Sequence, residues 1–441
     1  DPGFRADSVE SGSAANESQG RADKQVNRDS TKRGNYQSPE KLSEIPAVSL
    51  QQFLKGRFAG VDIQEPSGEP GTQQNIFLRG ASLPLLSKKA LYDAQPLIVL
   101  DGIPLITEHP FAFDIQQFQN NRIGPATNVF TNIDMDNIAA IEVLSDIDAK
   151  AIYGPQGVNG VILLRSKLAD TVKRVSFSTY FGVAPRPQVT TINGNYENQF
   201  RQRFYDIYTT NGRYSNDEVY PLYLSDSLNT RYFGASNWSD VYYQNATAYS
   251  VNADITGGNE RANFRFALGN MQNQGIADET ALNRYSARFN INMKPVKWLQ
   301  FSAMVNANRV ERDRNRNLRD RYEQVNYLPD LSSPLSPNKE IYQQYLSNYD
   351  DGFDDNKTNI MNGYAQLGVE LGPVKFRSRL AIDYNEGYRD VFYPRPLMQN
   401  TSYASNYYGF NQRFLFDNVA SYQTKVNQND YLSLELGQSF Q

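Results

Sequence analysis

The sequence RVSFSTYFGVA at residues 174–184 alternates apolar side chains with polar or small ones. In an extended strand, alternate residues point to opposite faces. One face then carries Val175, Phe177, Thr179, Phe181 and Val183, and the other carries Ser176, Ser178, Tyr180 and Gly182. This period of two predicts a strand whose two faces meet different environments.

The same alternation recurs along the rest of the chain, and the second face often carries Arg, Asn, Ser or Asp. The segments are AYSVNADIT (248–256), NFRFALG (263–269), RYSARFNINM (284–293), LQFSAMVNAN (299–308), GYAQLGVEL (363–371), KFRSRLAIDY (375–384), RFLFDNVASY (413–422) and YLSLELGQSF (431–440). One apolar and one polar face are typical of a membrane barrel with a wet lumen. We predict a partial transmembrane antiparallel β-barrel of about nine strands over residues 169–441.

The alternation also assigns individual residues to the two faces of this barrel. We expect lipid contact for Val175, Phe177, Phe181, Phe264, Phe266, Phe301 and Val305. We expect Asn252, Arg265, Asn306 and Arg379 to face the lumen or the plug.

Connection lengths support the barrel independently. Short turns at 257–260, 294–297, 372–373 and 425–430 alternate with longer segments at 185–245, 271–282, 310–360 and 386–411. Outer-membrane barrels have short periplasmic turns and long extracellular loops, whereas a large soluble β-sandwich, the alternative, has no reason to segregate them. If the first strand runs outward, the last also runs outward and Gln441 lies near the outer face.

Composition restricts the function classes. The 441 residues carry 44 Lys and Arg against 48 Asp and Glu, so there is no basic excess for nucleic acid. No apolar run is long enough for a transmembrane helix. The 29 Tyr and 24 Phe supply apolar surface that tolerates water at one end, and the chain has no Cys.

The region before the barrel divides into two parts. Residues 1–47 are rich in Ser, Asn, Gly and mixed charge, and we expect them to be disordered. Residues 48–168 predict a small α/β domain with a helix capped by Ser49 and a hairpin turn at Asp101-Gly102. The paired glycines of this domain match no phosphate-binding spacing, and we expect them to form turns.

Four segments of this α/β domain resemble, in order and spacing, the plug domain of SusC-like TonB-dependent outer-membrane transporters. They are LKGRFAGVDIQEPSGEPG (54–71), NIFLRGASL (75–83), PLIVLDGIPL (96–105) and IEVLSDIDAKAIYGPQGVNGVILLRSK (141–167). The signature residues are Gly56, Arg57, Gly60, Gly68, Gly71, Arg79, Gly80, Asp101, Gly102, Glu142, Asp146, Tyr153, Gly154, Gly157, Asn159 and Gly160.

The resemblance implies a plug inside a 22-stranded outer-membrane barrel and import of a bulky nutrient, glycan or peptide. It also implies a SusD-like surface lipoprotein as partner and TonB as the energy source. We further expect the plug to lie within the curved sheet, with Arg79, Glu142 and Arg165 as candidates to contact the wall.

Several features depart from the family pattern. No acidic-then-valine coupling box is found between Asp1 and Ser49, and the nearest candidate is DSVESG at 7–12. Pro155 and Gln156 stand where the family usually has Ser and Arg. An alternative therefore stays open, in which the barrel is a non-transporting structural subunit of a larger complex. Because about nine strands cannot close a plugged barrel, we expect these residues to be the first part of a longer polypeptide.

Little in the sequence indicates catalysis or a cofactor. The single His109 is isolated, and the absence of Cys excludes a thiol nucleophile and argues against a zinc site. Glu142 and Asp146 are expected to serve capping and ion pairing. The acidic segment DDGFDD (350–355) could supply oxygens to Ca²⁺ but lacks calcium-loop spacing, so a solvated outer loop is the favoured interpretation. We expect no enzyme activity and no cofactor.

Overall fold

The computed structural model describes residues 36–37, 47–82, 84–85, 88–107, 127–144, 147–210, 228–229, 233–314, 338–347, 350–395, 402–425 and 431–441. The helices among these residues are too short or too polar to cross a membrane.

The N-terminal domain is built on a five-stranded mixed sheet in the order β1-β6-β7-β4-β5, beside a two-stranded sheet of β2 and β3. Only the β4–β7 pair is parallel. The strands are β1 (Tyr36–Gln37), β2 (Val61–Gln64), β3 (Asn75–Leu78), β4 (Leu97–Leu100), β5 (Ile103–Pro104), β6 (Ile138–Leu144) and β7 (Val161–Ser166). The helices are α1 (Leu50–Leu54), α2 (Lys88–Asp93) and α3 (Ile147–Tyr153), with 3₁₀ turns at Val129–Asn132, Met135–Asn137 and Gly154–Gly157.

Two local predictions for this domain are confirmed. The hydroxyl of Ser49 accepts the backbone N–H of Gln52 at 3.2 Å and caps α1, and the Gln52 side chain accepts the N–H of Val48 at 3.1 Å. Asp101 and Gly102 have φ values of 49° and 80°, the two positive values that a type I′ hairpin turn requires. This turn joins β4 to β5.

The second part of the chain forms one antiparallel sheet of nine strands, in sequence order from β8 to β16, as predicted. The strands are β8 (Arg174–Ala184), β9 (Ala246–Gly258), β10 (Ala262–Gln274), β11 (Ala281–Val296), β12 (Leu299–Asp313), β13 (Phe353–Leu371), β14 (Val374–Tyr393), β15 (Tyr403–Lys425) and β16 (Tyr431–Phe440). Among the described residues, three helices lie between strands of the sheet: α4 (Gly194–Thr210) and α5 (Ser239–Tyr242) between β8 and β9, and α6 (Lys339–Ser347) between β12 and β13.

The two faces of the nine-stranded sheet differ as the alternation predicted. Val175 is 74% exposed on the outer face, whereas Arg265 is 3% exposed on the inner face. Phe177, Phe181, Phe264, Phe266 and Val305 are also exposed, and Asn306 and Arg379 are buried. Phe301 and Asn252 are half-buried. Phe301 shares the outer face with Val305, and Asn252 lies on the inner face. The inner face packs on the N-terminal domain: Met304, Ala381 and Leu415 of the sheet join its apolar core.

The rims of the sheet follow the predicted pattern in part. Short turns join β9 to β10, β11 to β12 and β13 to β14, and the long segments 185–245 and 314–352 leave from the opposite rim. The lengths predicted for 271–282 and 386–411 are wrong, because the strands extend into both and leave only 275–280 and 394–402 as connections. The predicted position of Gln441 near the outer face stays a prediction. Phe440 pairs with Phe416 of β15. The neighbouring Gln441 accepts a 2.8 Å hydrogen bond from Gln156.

Two further predictions are corrected by the structure. Disorder throughout 1–47 is wrong at Tyr36–Gln37, which pairs with Glu142 and Ile141 as an added edge strand. A solvated loop at 350–355 is wrong from Phe353 onward, because β13 begins there and Asp354 turns inward. The remaining residues of 1–46 lie outside the described part, and the domain boundaries at 47/48 and 168/169 stay predictions.

The register places Phe266 midway along the apolar outer face, paired with Phe289 and Ile255. We predict that Phe266→Arg lowers the folded yield in lipid vesicles, because a cation near the membrane midplane costs about 2–4 kcal/mol. Phe266→Leu is the matched control and keeps the yield. Folded protein is quantified by its heat-modifiable electrophoretic mobility, and equal yields for the two variants would contradict a lipid-facing position.

Candidate functional site at the plug–barrel interface

The inner face of the sheet presents a set of arginines to the N-terminal domain, which we call the arginine row. Each member donates at least one hydrogen bond to that domain. The members are Arg265 on β10, Arg284 and Arg288 on β11, Arg312 on β12, Arg379 on β14 and Arg413 on β15. The alternation of the strands aims them inward, because all six occupy the inner-face phase of their strand.

Arg284 makes the most complete of these contacts. Its Nη1 donates to the carbonyl oxygens of Thr131 and Ile133 at 3.1 and 3.2 Å, and its Nη2 donates to Asp134 at 3.2 Å. Ser286, two residues along the same strand, donates to the other carboxylate oxygen of Asp134 at 3.2 Å. Arg284 and Asp134 are both almost fully buried. Breaking such a pair leaves an uncompensated buried charge, which is strongly destabilising.

The β4–β5 hairpin is held at its tip by two strands of the wall. Arg288 donates to the Asp101 carboxylate and to the Ser166 hydroxyl, each at 2.5 Å. Arg379 donates to the Asp101 carbonyl at 2.5 Å and lies 4.2 Å from the ring centroid of Tyr364. Asp101 also accepts the Ser166 N–H at 2.8 Å, so one aspartate links the hairpin, β7 and the wall.

The same hairpin is held beyond its tip. Arg413 donates to the Pro104 carbonyl at 3.2 Å, and the Ile106 N–H donates to the buried carboxylate of Asp383 at 2.6 Å. Together with the contacts at Asp101, these bonds fix the segment 101–106 against β11, β14 and β15.

Arg312 holds the loop that precedes β3. It is fully buried, and it donates to the Pro70 carbonyl at 3.0 Å and to the Thr72 hydroxyl at 2.9 Å, with the Glu69 carboxylate at 3.5 Å. Gly71 lies between these partners with φ of 70°, and a Cβ there would stand 2.7 Å from Leu282 and 3.2 Å from Arg312. A glycine is therefore required for the loop to approach the wall so closely.

A second buried charge cluster lies within the wall itself. Arg389 donates two hydrogen bonds to Asp354, at 2.6 and 2.5 Å, and Arg314 lies 3.7 Å from the same carboxylate. Asp354 belongs to the acidic segment considered as a calcium ligand, and its two oxygens are committed to these guanidinium groups. Among the described residues, no group of three or more His, Cys, Asp or Glu side chains could hold a metal ion.

The wall formed by β8, β9 and β10 meets the N-terminal domain differently. A cavity of about 690 Å³ separates them, lined by Asp134, Asp136 and Asn137 on one side and by Ser250 and Asn252 on the other. Asp136 spans the gap, accepting hydrogen bonds from Ser178 at 3.1 Å and from Asn252. Burial and the neighbouring Asp134 raise the pKa of the Asp136 carboxyl above its usual value.

The plug-signature residues mostly shape turns and loop contacts. Positive φ angles occur at Gly56, Gly60, Gly71, Gly80, Gly102, Gly154 and Gly160, and also at Arg79 and Asp101. Gly157 packs against the backbone of Ala149, and nothing lies within 4 Å of the position a Cβ would take at Gly68. Asn159 donates to the carbonyl oxygens of Asp93 and Gln95, and Arg57 stacks 4.6 Å from the Phe53 ring centroid. Tyr153 packs beside the buried Ala149 cluster.

The residues suggested as wall contacts have mixed outcomes. Glu142 forms an ion pair with Arg165 at 3.3 Å within the domain. Arg79 is exposed. The contacts described above run through Asp101, Asp134 and backbone carbonyls. Asp146 and His109 lie outside the described residues.

Comparison with known proteins agrees with this architecture. A family model described as the TonB-dependent receptor plug domain matches residues 27–161. The TonB-dependent receptor SusC of Bacteroides thetaiotaomicron is 28% identical over 258 residues, which cover 57% of this chain and 22% of that protein. The TonB-dependent receptor P26 of Formosa agariphila is 25% identical over 278 residues, which cover 62% of this chain and 24% of that protein.

Solved structures show the same fold. The RagAB peptide importer in its closed-closed state aligns with a TM-score of 0.66 at 16% identity, covering 92% of this chain and 47% of that chain. The chain is SusC-like and contains a TonB-dependent receptor plug domain. It comprises the plug domain and part of the barrel of an outer-membrane protein, with the plug on the periplasmic side. The matched regions cover about a quarter of the length of these curated relatives.

Sequence reasoning identified only part of the arginine row. The predicted inward positions of Arg265 and Arg379 are confirmed, and Asn252 contacts the plug through Asp136. Asn306 instead donates to Asn362 of the neighbouring strand at 3.2 Å. Arg284, Arg288, Arg312 and Arg413 were not singled out. The signal was present in RYSARFNINM, where Arg284, Ser286, Arg288 and Asn290 share one face.

Gly102 and Gly80 form a matched pair for testing the hairpin contact. Both have positive φ, but a Cβ at Gly102 would stand 2.6 Å from Nη1 of Arg379, whereas nothing lies within 4 Å at Gly80. Alanine costs about 1–2 kcal/mol in backbone strain at either site. We predict that Gly102→Ala costs about 1.5–3 kcal/mol more, because Arg379 must leave the Asp101 carbonyl. Urea unfolding in lipid vesicles measures the stability of both variants. Equal losses of stability would contradict a stabilising contact between Arg379 and the hairpin.

Proposed function

We propose that this receptor imports a bulky nutrient, a glycan or a peptide, across the outer membrane while TonB moves the plug. The observation that carries this proposal is the polar character of the plug–barrel interface. Six arginines reach the plug mainly through backbone carbonyls, hydroxyls and two aspartates.

Such an interface suits a plug that moves and returns. As the plug withdraws, water can accept the hydrogen bonds that the arginines had donated to plug carbonyls and hydroxyls. Each bond that breaks is then replaced by a bond to water. The apolar contacts among the described residues are those of Met304, Ala381 and Leu415 with the plug core, and of Met271, Leu282 and Val310 with Val48. The directional bonds then return the plug to one register. No step of this proposal requires a cofactor or a catalytic group.

The proposed outer partner is a SusD-like surface lipoprotein. The long segments of the barrel all leave from one rim, and two of them meet there: Asn237 accepts the Lys339 N–H at 2.7 Å, and Trp238 packs against Tyr342. This junction joins the segment after β8 to the segment after β12. It offers a preformed outer surface to a partner above the lumen.

The second candidate is a barrel that keeps its plug in place and serves as a structural subunit. Two observations favour it. Arg284–Asp134 and Arg288–Asp101 are buried pairs whose separation is costly. Gln156, which with Pro155 departs from the family's usual Ser and Arg, donates a hydrogen bond to the side chain of Gln441.

Uptake by intact cells separates the two candidates. A strain lacking the receptor and a complemented strain are supplied with fluorescent oligosaccharides and oligopeptides, with and without a protonophore. Import predicts accumulation of one probe class only in the complemented, energised cells. Accumulation of neither class, with the receptor still present in a large outer-membrane complex, would favour the structural subunit. Co-purification of a lipoprotein tests the partner separately.

A further inference from the structure

The outer face of the wall has a hollow on the side of the rim from which the long segments leave. A groove of about 710 Å³ crosses strands β9–β14 there, away from the sheet edges at β8 and β16. Its floor is made of small side chains, because Ala287 of β11 pairs with Ala307 of β12. Leu268 pairs with Ala287 on one side, and Met361 pairs with Ala307 on the other. The outer face is therefore indented at this pair of alanines.

The groove lies at the level where the outer face changes from apolar to charged. Along β12 the outward residues are Phe301, Ala303, Val305 and Ala307, followed by Arg309, Glu311 and Asp313. Charged side chains on the lipid face are tolerated only toward the membrane surface, so the hydrocarbon ends between Ala307 and Arg309. The hollow below Arg309 then opens to the hydrocarbon of one leaflet. An acyl chain fills it better than a void does, because an empty apolar hollow loses its packing contacts.

Arg309 and Glu386 stand at the upper edge of the groove with hydrogen-bonding capacity left over. Nε and Nη2 of Arg309 lie 2.8 and 2.7 Å from one oxygen of Glu311, and Nη1 has no hydrogen-bond partner among the described residues. Glu386 accepts hydrogen bonds from the amide of Asn359 at 2.8 Å and from the hydroxyl of Tyr384 at 2.7 Å. A carboxylate has about four lone-pair sites, so Glu386 has room for a further donor.

The charges around this upper edge are mixed, with carboxylates in excess. Lys357 is aligned with Glu311, and two residues further along the strands Asp313, Asp355 and Asp390 are aligned on β12, β13 and β14. Such a surface disfavours a headgroup that is only anionic. It favours a headgroup that carries a cation beside its phosphate. A primary ammonium can also donate hydrogen bonds to carboxylates, whereas a quaternary ammonium has no N–H.

We propose that this groove binds a membrane lipid with a phosphoethanolamine head. Its acyl chain lies over Ala287 and Ala307, its phosphate meets Arg309 and its ammonium meets Glu386. Arg309 and Glu386 are separated only by β13, since both are aligned with Asn359. Two strand spacings amount to about 10 Å, which the long Arg309 side chain and one headgroup can bridge. The inference concerns the membrane face of the wall and does not depend on import.

Native mass spectrometry of the full-length receptor in detergent tests the headgroup. The probes are dioleoyl phosphatidylethanolamine, phosphatidylcholine and phosphatidylglycerol, whose identical acyl chains isolate the effect of the head. Phosphatidylethanolamine is expected to bind about fivefold more tightly than either of the others. Equal binding of phosphatidylcholine, or tighter binding of phosphatidylglycerol, would overturn the proposal. Retention of lipopolysaccharide or of a second receptor copy against added phosphatidylethanolamine would assign the groove to another occupant and would also overturn it.

Two alanines of the same strand test the position of the acyl chain. Ala307→Phe fills the hollow, and Ala303→Phe adds the same ring to the outer face outside the groove. The first substitution is expected to weaken phosphatidylethanolamine binding about fivefold, and the second is expected to leave it unchanged. Equal effects of the two substitutions would contradict the groove as the binding site.

Glu386→Gln covers the case in which Ala307→Phe fails to fold. This variant keeps the hollow and removes the carboxylate that meets the ammonium. It is expected to bind phosphatidylethanolamine and phosphatidylcholine equally, because the phosphate contact at Arg309 is common to both lipids. An unchanged preference for phosphatidylethanolamine would contradict the assigned orientation of the head.

Discussion

The structure depends on how the wall accommodates arginines that face inward. A guanidinium group buried in a low-dielectric interface is costly unless its donors are satisfied. Here the plug supplies the acceptors: Thr131 and Ile133 carbonyls with the Asp134 carboxylate for Arg284, and the Asp101 carboxylate for Arg288. Because such bonds are directional, they specify one position of the plug in the barrel as well as its stability.

The same strands satisfy the opposite requirement on their outer face. One residue away from each inward arginine, the chain carries rings or aliphatic groups: Phe264 and Phe266 flank Arg265, and Tyr285 follows Arg284. A shift of one residue in register would turn charge to lipid and rings to the plug. The inner polar contacts and the outer apolar band therefore restrain the same register from both sides.

Local features of this fold were predictable because they follow from neighbouring residues. The nine strands follow from alternation, the α1 cap from Ser49 with Gln52, and the hairpin from Asp101-Gly102. The β1 strand at Tyr36–Gln37 was missed because two residues in a polar segment carry no periodicity, and β6 supplies the pairing.

The site was less predictable than the fold. Alternation aims Arg265 and Arg379 inward, but it does not name their acceptors. Arg284 and Asp134 are 150 residues apart, and no local pattern links them. The acidic segment at 350–355 illustrates the same limit, since its composition favours a solvated loop whereas Arg389 draws Asp354 into the wall.

The interaction between Arg284 and Asp134 can be measured directly by a double-mutant cycle. The variants are Arg284→Met, Asp134→Asn and their combination, with urea unfolding in lipid vesicles as the readout. A parallel cycle on the half-exposed pair of Arg309 and Glu311 provides the reference. If the arginine row holds the plug, the buried pair should couple by about 1.5–3 kcal/mol, and the reference pair by less than about 1 kcal/mol. A coupling below about 0.5 kcal/mol for Arg284 and Asp134 would contradict the central role of these buried contacts.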